Sequence, residues 1–222
     1  DWLRNGDPWS LRKESEQVLV RFGRSTVRAI PYDVPILGYD TKNVNTLRLW
    51  QAEPMEPFDF TKYNNFEYDA SLADKNRAED ITRVLYPNDG QRSGKVLRFK
   101  QQYFFVSASI QDMVRRYREK EGDFTKFAEY HAVQLNDTHP VIALPELMRI
   151  LMDEEHMDWN DAWSIVNDTF SFTNHTILQE AMEQWPVDIV EEVCPRCYNI
   201  ITQIDKRFVD ELTDISYHSD QI

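Results

Sequence analysis

Glycine and cysteine are scarce in this chain, with 6 glycines and 2 cysteines in 222 residues. So few glycines leave little room for a phosphate-cradling loop, and neither G-x-G-x-x-G nor G-x-x-x-x-G-K occurs; a G-x-S-x-G nucleophile elbow and a paired-histidine metal motif are missing too. Cations are in deficit. The 25 Lys plus Arg against 38 Asp plus Glu give a net charge of −13, which argues against a general binder of nucleic acid or of an anionic membrane, because phosphate groups need cationic patches. No segment approaches the roughly 18 consecutive apolar residues that a membrane helix needs. The opening DWLRNGDPW lacks the basic start and apolar run of a signal peptide and reads as the middle of a domain. The expectation is a cytoplasmic protein and a piece of a longer chain.

Cys194 and Cys197 form the sequence CPRC. Two thiolates at this spacing suit a redox pair or half of a zinc site, but a closed zinc site needs four ligands. No second CxxC exists, and His218 is the sole histidine on the C-terminal side. The plainer reading is two reduced cysteines at the start of a helix. What the chain does have is a core: 41% of residues are hydrophobic and 13% aromatic, enough for one large domain or two small ones.

Residues 17–50 read as strands, in the runs QVLVRFG, TVRAIPYD and VNTLRLWQA, the last reaching Ala52, broken by Gly23, Pro31, Pro35 and Gly38. EPMEPFDF reads as a connector. From Asn64 to Tyr86 the pattern is helical, with Asn64 or Asn65 as cap and Pro87 as stop. Its middle, ADKNRAED, is polar nearly all round, so it either projects into solvent or meets another subunit. Residues 87–95, PNDGQRSGK, read as a loop, followed by a segment that starts extended and turns helical by about Ala108. Arg115 and Arg116 either bind a phosphate or line an exposed charged face.

In the C-terminal half HAVQL reads as a strand, PVIALPELMRILMDEEHM and DWNDAWSIVNDT as helices, TFSFT as a second strand, and NHTILQEAMEQWP as the opening of a helix ending by Pro186. This order is a βαβ unit with parallel strands. A last amphipathic helix runs from Pro195 to about Thr213, with Ile200, Ile204, Phe208 and Leu212 four apart.

The two strands end alike, the first at Asn136, Asp137, Thr138 and His139, the second at Thr173, Asn174, His175 and Thr176. Ligands of open α/β sheets bind beyond the carboxyl ends of strands. Amides, hydroxyls and imidazoles there suit a hydroxyl-rich ligand, since they both donate and accept hydrogen bonds. The alternative is that Thr138 or Asn174 caps the helix that follows.

PYDVPILGYDTKNVNTLRLWQAE, ITRVLYPND, LRFKQQYFFVSASIQD, QLNDTHPVIALPELMRIL and FTNHTILQEAMEQWPVDI together closely resemble blocks of the glycogen, starch and maltodextrin phosphorylases, in the family's order and over nearly the whole chain. The resemblance implies an α/β fold, a Rossmann-like three-layer partial N-terminal lobe of a two-lobed GT-B glycosyltransferase. It implies an α-glucan phosphorylase, in which inorganic phosphate cleaves α-1,4-glucan to give glucose 1-phosphate, with pyridoxal 5'-phosphate as cofactor and a homodimer as the assembly. By the same resemblance Asn88 and Asp89 match a mobile gate loop, Asp137 and His139 line the catalytic cleft, His175 holds the 6-hydroxyl of the transferred glucosyl unit, and residues 64–86 form the dimer interface helix. Asn136, on the same strand end, joins the substrate-binding set.

Gly90 and Gln91 depart from the family, which has an asparagine and then an aromatic there, and the glycine implies a more mobile loop. Gln179 stands where many members have proline. The cofactor lysine belongs to the C-terminal lobe, so this chain alone is expected to be inactive. The alternative function is a non-catalytic carbohydrate-binding or assembly module.

Overall fold

Val18, Val20 and Phe22 are buried and alternate with exposed Leu19 and Arg21, the period-two pattern of a strand with one face on a core. They belong to a computed structural model that describes residues 8–178 and 182–214. The chain divides into two units at Lys120 and Glu121.

In the first unit a four-stranded antiparallel sheet is built on β3 (Ser25–Leu37). Its one edge pairs with β2 (Val18–Phe22) and then with β1 (Leu11–Arg12), and its other edge pairs with β4 (Val44–Pro54) along nearly its whole length. Pro31 and Pro35 do not break β3 as the sequence suggested. The Pro31 carbonyl accepts from Lys13 N at 2.9 Å, so its missing N–H faces the junction of β1 and β2 and takes nothing from the β4 ladder.

One helix was expected over residues 64–86; two short ones, α2 (Tyr68–Ser71) and α3 (Ala73–Arg83), form there instead, after α1 (Phe60–Asn64). Asp59 caps α1 by accepting from Lys62 N at 3.0 Å, and neither Asn64 nor Asn65 caps α2 or α3. Phe66, at φ 67°, turns the chain out of the helix between α1 and α2. The polar middle also has a core face: Ala78 and Ile81 are buried, α3 packs on β4, and Thr82 Oγ1 accepts from Ala52 N at 3.2 Å.

The segment expected to start extended is helical from its first residues, as α4 (Arg92–Lys120). Phe99, Tyr103, Val106, Ile110, Val114 and Tyr117 are all buried, at steps of three and four, so a continuous stripe overrides the aromatic and β-branched residues' preference for strands. Each large side chain so buried contributes about 1.5–3 kcal/mol. Trp50 donates to Ser109 Oγ at 3.1 Å, fastening α4 to the sheet.

The second unit opens with α5 (Phe127–Tyr130) and contains the anticipated parallel pair, β5 (Val133–Asn136) with β6 (Phe170–Thr173). Between them run α6 (Ala143–Arg149), a π-helical turn (Ile150–Glu154) and α7 (Trp159–Thr169). Asp158 caps α7, accepting from Asn160 N and Asp161 N at 2.8 and 3.0 Å. α8 (Val187–Val193) and α9 (Pro195–Asp214) follow, and α9 packs on α6 through buried Cys197 and Ile200. Phe208, on the expected apolar stripe, is 57% exposed.

No helix occupies the described part of NHTILQEAMEQWP. Asn174 Oδ1 accepts from Thr176 N at 3.3 Å and Thr176 Oγ1 from Leu178 N at 3.1 Å, so side chains take the amides that a helix would use. Gln179 and His218 lie outside the described residues.

Candidate functional site

The register of β5 on β6 sets Asn136 opposite Thr173, which puts the two polar strand ends at the same level. Gln134 Nε2 donates to Thr173 Oγ1 at 2.8 Å, and Asp137 N to Thr173 O at 2.9 Å, extending the pairing one step past the strands. Asp137 then turns at φ 61°, a left-handed conformation that Asp tolerates better than most residues. Its Oδ1 accepts from His175 N at 3.1 Å, while His175 Nε2 lies 2.5 Å from Asn136 Oδ1. Asn136, Asp137 and His175 therefore converge.

That bond fixes the imidazole. A carbonyl oxygen only accepts, so Nε2 donates in this bond and Nδ1 is the nitrogen left to meet a ligand. Asn136 and His175 are exposed and Asp137 half-buried, so a ligand can reach them. His139 sits half-buried in the turn that leads to α6. The capping alternative does not hold for Thr138: α6 starts at Ala143, its N-cap position is Ile142, and no side chain caps it. Asn174 caps no helix either, as its bond to Thr176 N falls in an irregular segment.

Asn88 and Asp89 belong to the first unit, in the loop before α4. Asn88 Oδ1 accepts from Gly90 N at 2.9 Å, and Asp89 Oδ2 from Arg98 Nη1 at 2.9 Å. Arg98 and Gly94 escaped the sequence reading. The available signal was their four-residue spacing in RSGKVLRF, which only a helix starting early would have revealed.

Arg115 and Arg116 resolve toward structure. Arg115 Nη2 lies 2.8 Å from Asp112 Oδ1 and 3.2 Å from Glu16 Oε2, and Arg116 Nε 3.0 Å from Asp112 Oδ2. Arg48 joins them, with Asp33 gripped in a two-pronged pair at 2.7 Å for each bond, Glu16 at 2.8 Å and Asp112 at 2.9 Å. The Arg48 bond holds the Asp33 carboxyl below its usual range; burial pushes Glu16 upward, yet bonding and attraction to Arg48 bring it below its ordinary value.

Cys194 and Cys197 are free and buried. Cys197 Sγ donates to Glu146 Oε2 at 3.5 Å, and Arg149 neutralises the fully buried Glu146 at 2.9 and 3.0 Å. Bonding with Cys194, burial and the Glu146 charge push the Cys197 thiol up, the reverse of a reactive cysteine. Among the described residues no group of His, Cys, Asp or Glu is set to hold a metal ion.

A cavity of about 360 Å³ in the first unit lies between the β2–β3 turn, the end of β4 and α3. Asp74 and Arg77 on its rim pair with each other, and Val27, Ala78 and Ile81 beneath them are core residues.

Parallel strands whose ends carry converging amide, carboxylate and imidazole groups define an α/β protein with a polar strand-end site. The chain belongs to the carbohydrate phosphorylase family, which it matches over residues 1–222. It is 45% identical to a glycogen phosphorylase of Saccharomyces cerevisiae over 95% of this chain and 26% of that protein. A glycogen phosphorylase of Synechocystis is also 45% identical, over 95% of this chain and 27% of the relative. The liver-form glycogen phosphorylase of Homo sapiens is 42% identical over 96% and 28%. The chain thus spans about a quarter of the length of these relatives.

Proposed function

We propose that this chain is part of an α-1,4-glucan phosphorylase, a partial N-terminal lobe of a two-lobed GT-B enzyme in which a phosphate oxygen attacks C1 of the terminal glucosyl unit. The C1–O4 bond breaks, the shortened glucan keeps the oxygen and gains a proton, and glucose 1-phosphate is released. The observation that carries this reading is the convergence of His175, Asn136 and Asp137 at 2.5 and 3.1 Å within a chain of this family.

His175 takes the sugar's 6-hydroxyl as a donor to Nδ1, because Asn136 already occupies Nε2. Asp137 positions the His175 backbone and, with His139, lines the cleft. These groups bind and orient the sugar; the charged groups that stabilise the transition state come from outside this chain. Asn88 and Asp89 belong to the enzyme's gate loop, residues 64–86 contribute to a homodimer, and two buried free thiols accord with a reducing cytoplasm.

Pyridoxal 5'-phosphate is the cofactor of the whole protein in this reading. None of this chain's lysines is buried, so none sits in the apolar surroundings that make a lysine condense with an aldehyde. The residues present do not fit that group, and their work is on the sugar.

The test is glucose 1-phosphate formation from maltodextrin, phosphate and pyridoxal phosphate. The complete protein containing this chain is expected to form it, and the chain by itself is not. An inactive complete protein that still binds maltodextrin would favour a carbohydrate-binding module; turnover by the chain alone would refute its reading as an incomplete lobe.

A further inference from the structure

Residues 84–91 lie along one face of α4. Gly94, Arg98 and Gln101 are spaced by four and then three residues, which places them on the same side of a helix. Each meets a different part of the loop. A Cβ at position 94 would collide with the Asn88 carbonyl oxygen, so only glycine allows this approach. Arg98 Nη1 lies 2.9 Å from Asp89 Oδ2, and its guanidinium sits 5.4 Å from the centre of the Tyr86 ring. Gln101 Nε2 donates to Val84 O at 2.7 Å.

Apolar burial contributes little to this seat, because Val84, Leu85 and Tyr86 are 60%, 58% and 56% exposed. Tyr86 also adopts φ 56°, a conformation that is unfavourable for a bulky residue and persists only where its surroundings hold it. Polar contacts from α4 meet the chain on both sides of it, Gln101 at Val84 and Arg98 at Asp89.

We propose that Arg98 is a positioning residue whose side chain latches the Asn88–Asp89 loop to α4, pairing with Asp89 and making a cation–π contact with Tyr86. The broad guanidinium reaches both at once; a compact ammonium is a single point charge that reaches one better than the other. The Gly90 N–H is taken by Asn88 Oδ1 within the same loop. The latch rests on contacts within the first unit alone. Only its bearing on sugar access depends on the phosphorylase reading.

Hydrogen exchange of the backbone amides tests it on the chain as it stands, comparing wild type with Arg98→Ala, Arg98→Lys, Asp89→Asn and the double variant Arg98→Ala with Asp89→Asn. Amides of residues 84–91 are expected to exchange roughly tenfold faster in Arg98→Ala and Asp89→Asn, the factor that one lost charge-assisted bond gives. The double variant is expected to be no faster than Arg98→Ala, because the pair that Asp89→Asn breaks is already gone there. Arg98→Lys falls between, while amides of α4 beyond Phe99 keep their wild-type rates. Unchanged loop exchange in Arg98→Ala, or additive effects in the double variant, overturns the latch. If Arg98→Ala loosens α4 itself, Asp89→Asn decides, and a loop as slow as wild type there overturns the proposal. Faster loop exchange with undiminished glucose 1-phosphate formation by the complete protein would support the latch and count against the gate.

Discussion

Asp137 combines a left-handed backbone at φ 61° with a side chain that accepts the His175 amide at 3.1 Å. Asparagine keeps the acceptor and tolerates that backbone; alanine does neither. Asp137→Asn is therefore expected to unfold in urea at close to the wild-type midpoint, and Asp137→Ala to lose about 1–2 kcal/mol. The charge network of the first unit sets a pH dependence. Arg48 holds Asp33 below its ordinary carboxyl value, as Arg196 does Asp153 in the second unit. The folded chain then binds fewer protons in acid than the unfolded one, so this stability is present above about pH 4 and is lost as pH falls through the lowered folded values. Urea midpoints at pH 7 and pH 3 are expected to fall in that order, with a smaller drop in Asp33→Asn.

The elements differ in how plainly the sequence announces them. Strands β2 and β4, the first part of β3, the parallel pair β5 and β6, and α7 were legible, because alternation, β-branching and helical spacing are local properties. Asp158→Ala is expected to cost about 1 kcal/mol, read from thermal unfolding. The early start of α4 was not legible: FKQQYFF has strand-like composition, and the stripe that makes it helical acquires meaning only against the sheet it covers. The missing helix after Asn174 was hidden for the opposite reason. Its spacing is helical, but Asn174 and Thr176 bond their own backbone. At the strand ends, residue types suggested a site, yet whether they cap or converge depended on the β5–β6 register, which no single strand encodes. Arg98 is legible only once α4 and its loop are seen side by side.

At the scale of the molecule, the chain carries more exposed apolar surface than scattered single residues would leave. Phe66 is 81% exposed and Tyr68 52%, on the segment proposed for the dimer, and Leu37 and Tyr39 are 76% and 99% exposed at the end of the β3–β4 hairpin. Clustered exposure of this kind marks surface meant to be covered. It accords with a chain that spans about a quarter of its relatives' length. The central claim is that the strand ends bind the glucosyl unit through the side chain of His175. The most direct measurement is kcat/KM for glucose 1-phosphate formation by the complete protein carrying His175→Ala, with circular dichroism to verify the fold. The expected result is a loss of about 10²-fold in a folded protein. Wild-type kcat/KM in that variant would contradict the claim.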